Sequence, residues 1–312
     1  MIQLHQYQRL LKIAKFVLLL AVSLFIFYKI IFAYKIDERY SSFSKEDHVN
    51  SFWFLVLALV LVLVNWGLES LKWKFLIQKF EKLSFFLSFK AVLSGVCLSI
   101  ITPNQIGDFA GRVIHLHVLN KIKGSLVTVI GHTAQVLITC FFGLFALWFL
   151  RAQELTFAIP VISVFLILFS TWVYLNLQFI YRKIKHFSWV HKIEKYLIVF
   201  ESYSRLELFK VLLISCIRYI VFLLQYYLLV RFFDIQISPL QALACISATF
   251  CVQSVVPSFF LLELGLRGQS ALWFFGMYSH NNQAILLAAY SLWIINMMIP
   301  ALLGMWFIYK VK

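Results

Sequence analysis

The chain has 312 residues, 62% of them hydrophobic and only 13% charged, with a mean hydropathy of +0.87. That composition excludes an ordinary soluble domain and points to a polytopic membrane protein. The net charge of +15 is gathered between apolar runs and does not alternate with stacking aromatics, which suits anionic lipid headgroups and argues against nucleic-acid binding.

A helix needs about 20 apolar residues to cross the hydrocarbon. Windows of that length predict six spanning helices, near 12–34, 51–71, 126–150, 157–178, 208–231 and 283–309. The basic N-terminus, MIQLHQYQRLLKIAK, opens like a signal peptide, but the apolar run after it is long and no small-residue cleavage site follows, so it is read as the first span. Two further apolar stretches, 85–119 and 240–277, are broken by Pro103 and Pro257. Proline lacks a backbone donor and disfavours helix in the residue before it, so each stretch is predicted to form two half-helices. The expected fold is an all-α polytopic membrane protein with six spanning helices plus two broken re-entrant helical hairpins.

Loop charges orient the spans, because Lys and Arg collect on the cytoplasmic side. Arg9, Lys12 and Lys15 fall inside, followed by an inside loop carrying Lys72, Lys74, Lys79, Lys82 and Lys90. Lys121 and Lys123 lie on the same side, as do segment 179–210 and the C-terminal Lys310 and Lys312, whereas 35–50, 151–156 and the uncharged MYSHNNQ loop fall outside. Both termini are therefore expected in the cytoplasm. Within 179–210, Ile180, Ile184, Phe187, Val190, Ile193 and Leu197 recur at helical spacing with Arg and Lys on the other faces, which predicts an amphipathic helix on an anionic leaflet or else a basic connector.

The same order of elements occurs twice. Pro103 and Pro257 are 154 residues apart, and both Asp108 and Glu263 and Arg112 and Arg267 are 155 apart. Residues 1–156 and 157–312 are accordingly read as two membrane repeats, the second inverted, a plan in which broken helices from the halves meet at a midplane site.

The hairpin tips carry the chemistry. In PNQIGDFAGR and PSFFLLELGLR an acid precedes an arginine by four residues, so Asp108 pairs with Arg112 and Glu263 with Arg267 on one helix face, which makes both charges tolerable at membrane depth. Pro103, Gly107, Gly111, Pro257 and Gly265 are taken as the hairpin breaks, and Asn104 and Gln105 as exposed polar groups beside a helix start, suited to cradling a phosphate or carboxylate. Arg112 and Arg267 are the expected anion ligands, held by Asp108 and Glu263 when empty. Arg218 suits either the headgroup path or snorkelling toward the cytoplasmic interface, and His132 and Gln135 add polar lining or serve packing. A simpler reading makes each acid–arginine pair only a latch between its hairpin and a neighbouring helix. Cys97, Cys140, Cys216, Cys245 and Cys251 lie in apolar runs without C-x-x-C spacing and read as small buried hydrophobes.

The segments SGVCLSIITPNQIGDFAGRVIHL and SVVPSFFLLELGLRGQSALWFFG resemble the two signature regions of the lysylphosphatidylglycerol synthase transmembrane-region family, through Pro103, Gly107, Asp108 and Arg112, then Pro257, Glu263, Gly265 and Arg267. The resemblance implies a bacterial inner-membrane protein with two re-entrant hairpins and, in the aminoacyl-lipid members, movement of a positively charged phospholipid between leaflets. Together with the tip residues it leads us to expect a flippase or transporter for a phospholipid, anionic or aminoacylated, or a lipid-linked polar molecule. The bifunctional members carry a soluble aminoacyl-transferase domain after the membrane part, and none is expected here. No metalloprotease, nucleophile-elbow or phosphate-loop motif occurs, so an enzyme is not expected, and neither is a cofactor or metal. Two alternatives share these residues: an intramembrane transferase using Asp108 or Glu263 as base, and a membrane subunit presenting lipid to a partner enzyme.

Overall fold

A computed structural model describes residues 45–102, 105–150, 158–185, 197–257 and 260–310. The span expected at 12–34, the residues Pro103 and Asn104, and the middle of the basic segment lie outside these ranges. Among the described residues all regular structure is helical: α1 (Lys45–Ile77), α2 (Phe85–Ile101), α3 (Gly107–Val113), α4 (Lys121–Leu150), α5 (Ala158–Leu175), α6 (Leu177–Ile184), α7 (Arg205–Phe232), α8 (Pro239–Val255), α9 (Phe260–Phe275), α10 (Asn282–Trp293) and α11 (Ile299–Tyr309).

Among the described residues three helices are long and apolar enough to cross a membrane, at Phe52–Ile77, Val118–Leu150 and Asn282–Tyr309, and four if Pro160–Leu175 and Leu177–Lys183, bent by 74°, count as one span. The region expected to span at 208–231 is a single helix of 28 residues, α7, whose apolar run is interrupted by Arg218 and Gln225. The expected six spans are therefore matched only in part. The last span contains a π turn, Ile294–Met298, just before Pro300. Proline has no N–H to give and its ring crowds the preceding turn, so the helix accommodates it by widening.

The segment 179–210 is not one surface helix. Its described parts are α6, a 3₁₀ turn at Ile198–Ser202, and the first turn of α7, which a Ser204–Glu207 capping box starts afresh. This connector is anchored inward: Val199 and Tyr203 are buried, and the Tyr203 hydroxyl donates to the Leu76 carbonyl at 2.7 Å.

The arms α2 and α8 are close counterparts. Each has 17 residues and begins at a serine N-cap, Ser84 or Ser238, which lie 154 residues apart, as do Pro103 and Pro257. Their surroundings correspond as well: α2 packs on α11 and α8 packs on α4, while α1 packs on α7. Glycines set both contacts. A Cβ on Gly304 would meet the Leu93 carbonyl oxygen and the Cys97 Cβ, and one on Gly143 would meet the Ser247 carbonyl oxygen and the Cys251 Cβ. Leu93 and Ser247, and Cys97 and Cys251, are again 154 residues apart, and the two glycines are 161 apart. Without a hydrophobic driving force in lipid, such close small-residue contacts supply the packing energy between helices.

The first hairpin is closed in the same way. A Cβ on Gly95 would fall 2.9 Å from the Asp108 carbonyl oxygen, and the Cβ of a residue at 111 would fall 2.5 Å from the Gly95 Cα. Gly111 is thus a packing glycine inside α3 and not a break. Gly265 lies inside α9 with open space where a Cβ would stand, so it breaks nothing either. Gly107 does start α3, and its N–H is taken by the Thr102 hydroxyl at 2.6 Å.

Candidate functional site

The first tip builds a buried charge cluster. The Arg112 Nε donates to both Asp108 oxygens at 2.9 and 3.0 Å, its Nη2 lies 2.9 Å from Asp108 Oδ2, and its Nη1 donates to Glu69 Oε1 at 2.9 Å. Every nitrogen of this guanidinium is engaged. Asp108 and Arg112 are only 4% and 3% exposed, so the pair expected from their spacing forms and is enclosed by its neighbours.

Glu69 and Lys72 are the residues that sequence reasoning missed. Lys72 was expected in a cytoplasmic loop, but no proline ends α1 before Ile77, and Lys72 is 1% exposed with its ammonium 2.7 Å from Glu69 Oε2, one helical turn earlier. Arg218 approaches the same oxygen at 3.2 Å. These last two contacts are ion pairs, not aligned hydrogen bonds, whereas Arg112 donates to Glu69 in good geometry. Glu69 thereby serves three cations, and His132, on α4, brings its Nε2 to 2.6 Å from Asp108 Oδ2. The signal that could have found the pair is in the sequence: an acid and a lysine at i, i+3 inside an uninterrupted helical pattern neutralise each other.

Arg218 is buried on α7 and does not snorkel. Its Nη1 donates to Gln135 Oε1 at 3.2 Å, and its guanidinium lies 5.3 Å from the Trp66 ring and 5.1 Å from Phe222. Gln135 donates in turn to the Ser215 carbonyl, which fixes α4 on α7. Asn296, in the π turn, accepts from Asn65 at 2.9 Å and fixes the last span on α1 in the corresponding way, for Gln135 and Asn296 are 161 residues apart like Gly143 and Gly304.

The second tip is simpler. Arg267 pairs with Glu263 Oε1 at 2.5 Å through Nη2 and 3.2 Å through Nε, and its Nη1 donates to Gln253 at 3.1 Å. Their side chains remain 18% and 17% exposed.

Both tips border one cavity of about 580 Å³. Glu69, Lys72, Gln105, Asp108, Arg112, His132, Gln135 and Arg218 line it from one side of the sequence, Gln253, Ser254, Pro257, Arg267 and Asn296 from the other. Glu263 pairs with Arg267 without lining it. Gln105 sits there with φ of 56°, a left-handed conformation uncommon for a residue with a side chain and often held at functional positions. Apolar walls come from Trp66, Phe222, Phe250 and Trp293, and Val255, Val256 and Pro257 line the cavity while remaining exposed. The cavity thus sets a cluster of charged and polar side chains against apolar walls, with exposed apolar residues at Val255–Pro257. The five cysteines are free thiols, buried or half-buried.

Comparison with curated proteins and with solved structures gave no match. The family described as the lysylphosphatidylglycerol synthase TM region matches residues 10–304, nearly the whole chain. Described residues that form a helical bundle with long apolar spans agree with that match, and this integral membrane protein belongs to the lysylphosphatidylglycerol synthase transmembrane-region family.

Proposed function

We propose that the protein is a flippase or transporter that moves a phospholipid or lipid-linked polar molecule between the leaflets of a bacterial inner membrane, with both termini in the cytoplasm. The observation that carries this reading is the shared cavity: arginines from two hairpins half a chain apart reach one chamber that joins charged groups to apolar walls and an exposed apolar margin. A headgroup suits the chamber, and acyl chains suit the margin. Family membership supports the same reading.

The recurring 154-residue and 161-residue spacings, with α2 on α11 and α8 on α4, support two membrane repeats, 1–156 and 157–312, the second inverted. In such a plan each half opens the shared site to one side, and relative rocking changes access. The reading needs no covalent step, which separates it from an intramembrane transferase acting through Asp108 or Glu263.

The test is transbilayer movement of fluorescent phosphatidylglycerol, phosphatidylethanolamine and an aminoacylated lipid in liposomes holding the purified protein. One of them is expected to move with the wild type and to slow about tenfold in Arg267→Gln, since a charge-assisted hydrogen bond of about 1.4 kcal/mol corresponds to that factor. Folded wild-type protein that moves none of them would remove the transport reading and put a lipid-presenting subunit in front, while a new lipid product would put a transferase there.

A further inference from the structure

Charge around the first tip does not balance. Among the described residues, and leaving His132 aside, Lys72, Arg112 and Arg218 surround the carboxylates of Glu69 and Asp108, three cations to two anions, whereas Arg267 and Glu263 balance each other. The surplus falls on Arg218. Arg112 engages all its nitrogens and Lys72 holds Glu69 at 2.7 Å, but among the described residues Arg218 has only the longer 3.2 Å contacts through Nη1. Its Nε is buried with no acceptor among the described residues, an arrangement that costs free energy wherever it persists. Arg218 is 9% exposed and lines the cavity, and Trp66 and Phe222 lie against its guanidinium and fix the plane of the fork.

We infer that Arg218 is the seat of an oxyanion, the phosphodiester of an amphiphile whose chains leave across the Val255–Pro257 margin. Arg112, by contrast, is a positioning residue that keeps Glu69 and Asp108 in place. The identity of the amphiphile as a lipid rests on the transport reading; the anion seat rests on the charge count and on the unmet donor. An incoming phosphodiester brings negative charge to Arg218 and an acceptor for the Nε that has none among the described residues. A neutral lipid brings neither, so the site selects headgroups that carry a phosphate.

Binding is measured on the purified full chain in detergent, by thermal stabilisation and by tryptophan emission, because Trp66 lies 5.3 Å from the Arg218 guanidinium. The probes are dioctanoyl phosphatidylglycerol, dioctanoylglycerol and inorganic phosphate. The wild type is expected to bind the phosphatidylglycerol and not the neutral diacylglycerol. Arg218→Gln is expected to weaken binding about tenfold or more, and Arg218→Lys, which keeps the charge but loses the fork, by a smaller factor. The lysine variant carries the test should the glutamine variant not fold. Equal binding by wild type and folded variants overturns the inference, as does diacylglycerol binding as tightly as phosphatidylglycerol. Inorganic phosphate binding as tightly as the lipid, and lost in the same variants, supports the anion seat and shifts its ligand to a free oxyanion. The two readings fail separately: binding lost in Arg218→Gln without flipping by the wild type leaves the seat and removes transport, while flipping with Arg218-independent binding does the reverse.

Discussion

The two hairpin tips carry the same acid–arginine spacing and use it differently. At the first, Asp108 and Arg112 are buried and have recruited Glu69 and His132 into a closed network. At the second, Glu263 and Arg267 keep partial exposure and, among the described residues, call on Gln253 alone. A motif that makes a charge tolerable in the membrane can therefore end as a fixed strut or as an adjustable arm. The outcome depends on how many further charges the neighbouring helices supply.

The sharpest way to break the comparison is to remove the arginine from each tip. Arg112→Ala leaves two buried carboxylates short of their main partner and is expected to cost about 3–5 kcal/mol, read as loss of monodisperse protein or a large fall in melting temperature. Arg267→Ala in the same assay is expected to change stability far less, and equal losses would mean that the tips do not differ. A middle effect comes from Gly95→Ala, whose added methyl would press on the Asp108 backbone and carboxylate. Overpacking of this kind costs about 1–3 kcal/mol, visible as a lowered melting temperature, and a neutral result would show that α2 and α3 are free to separate.

The smallest effect lies away from both tips, at the exposed start of α7. Burial pushes the Glu207 carboxyl up, but the Lys79 ammonium, 2.5 Å away, and the Ser204 N–H and hydroxyl outweigh it and hold it below its ordinary value. A depressed carboxyl stabilises the fold above the unfolded-state value and loses that contribution as pH falls through the folded-state one. The melting temperature of the wild type should therefore decline slightly more steeply on acidification below the ordinary carboxylate range than that of Glu207→Gln.

Local spacing made part of this legible. The i, i+4 separation of Asp108 and Arg112 predicts their pair, and the proline-broken apolar runs predict α2 and α8 with their partners. Glu69 and Lys72 escaped because a lysine-rich stretch reads as loop under topology rules, while their burial is decided by helices that meet them only in three dimensions. The Arg112–Glu69 bond joins positions 43 residues apart and the Arg218–Gln135 bond positions 83 apart, separations that carry no periodic signal. Arg218 was recognisable as a charge in a span, but its missing acceptor could not be read before its neighbours were placed.

The placement of the buried charges also bears on how the chain enters the bilayer during synthesis. On α1, Glu69 travels with Lys72 at i, i+3, and on α3, Asp108 travels with Arg112 at i, i+4, so each of these segments brings its own counter-ion and presents a nearly neutral face to lipid. The helix α7 has no acid within a turn of Arg218. Its first carboxylate neighbour is Glu69, made 149 residues earlier and already shared with Lys72 and Arg112, so the docking of α7 against α1 is the step that brings the uncompensated charge into the bundle.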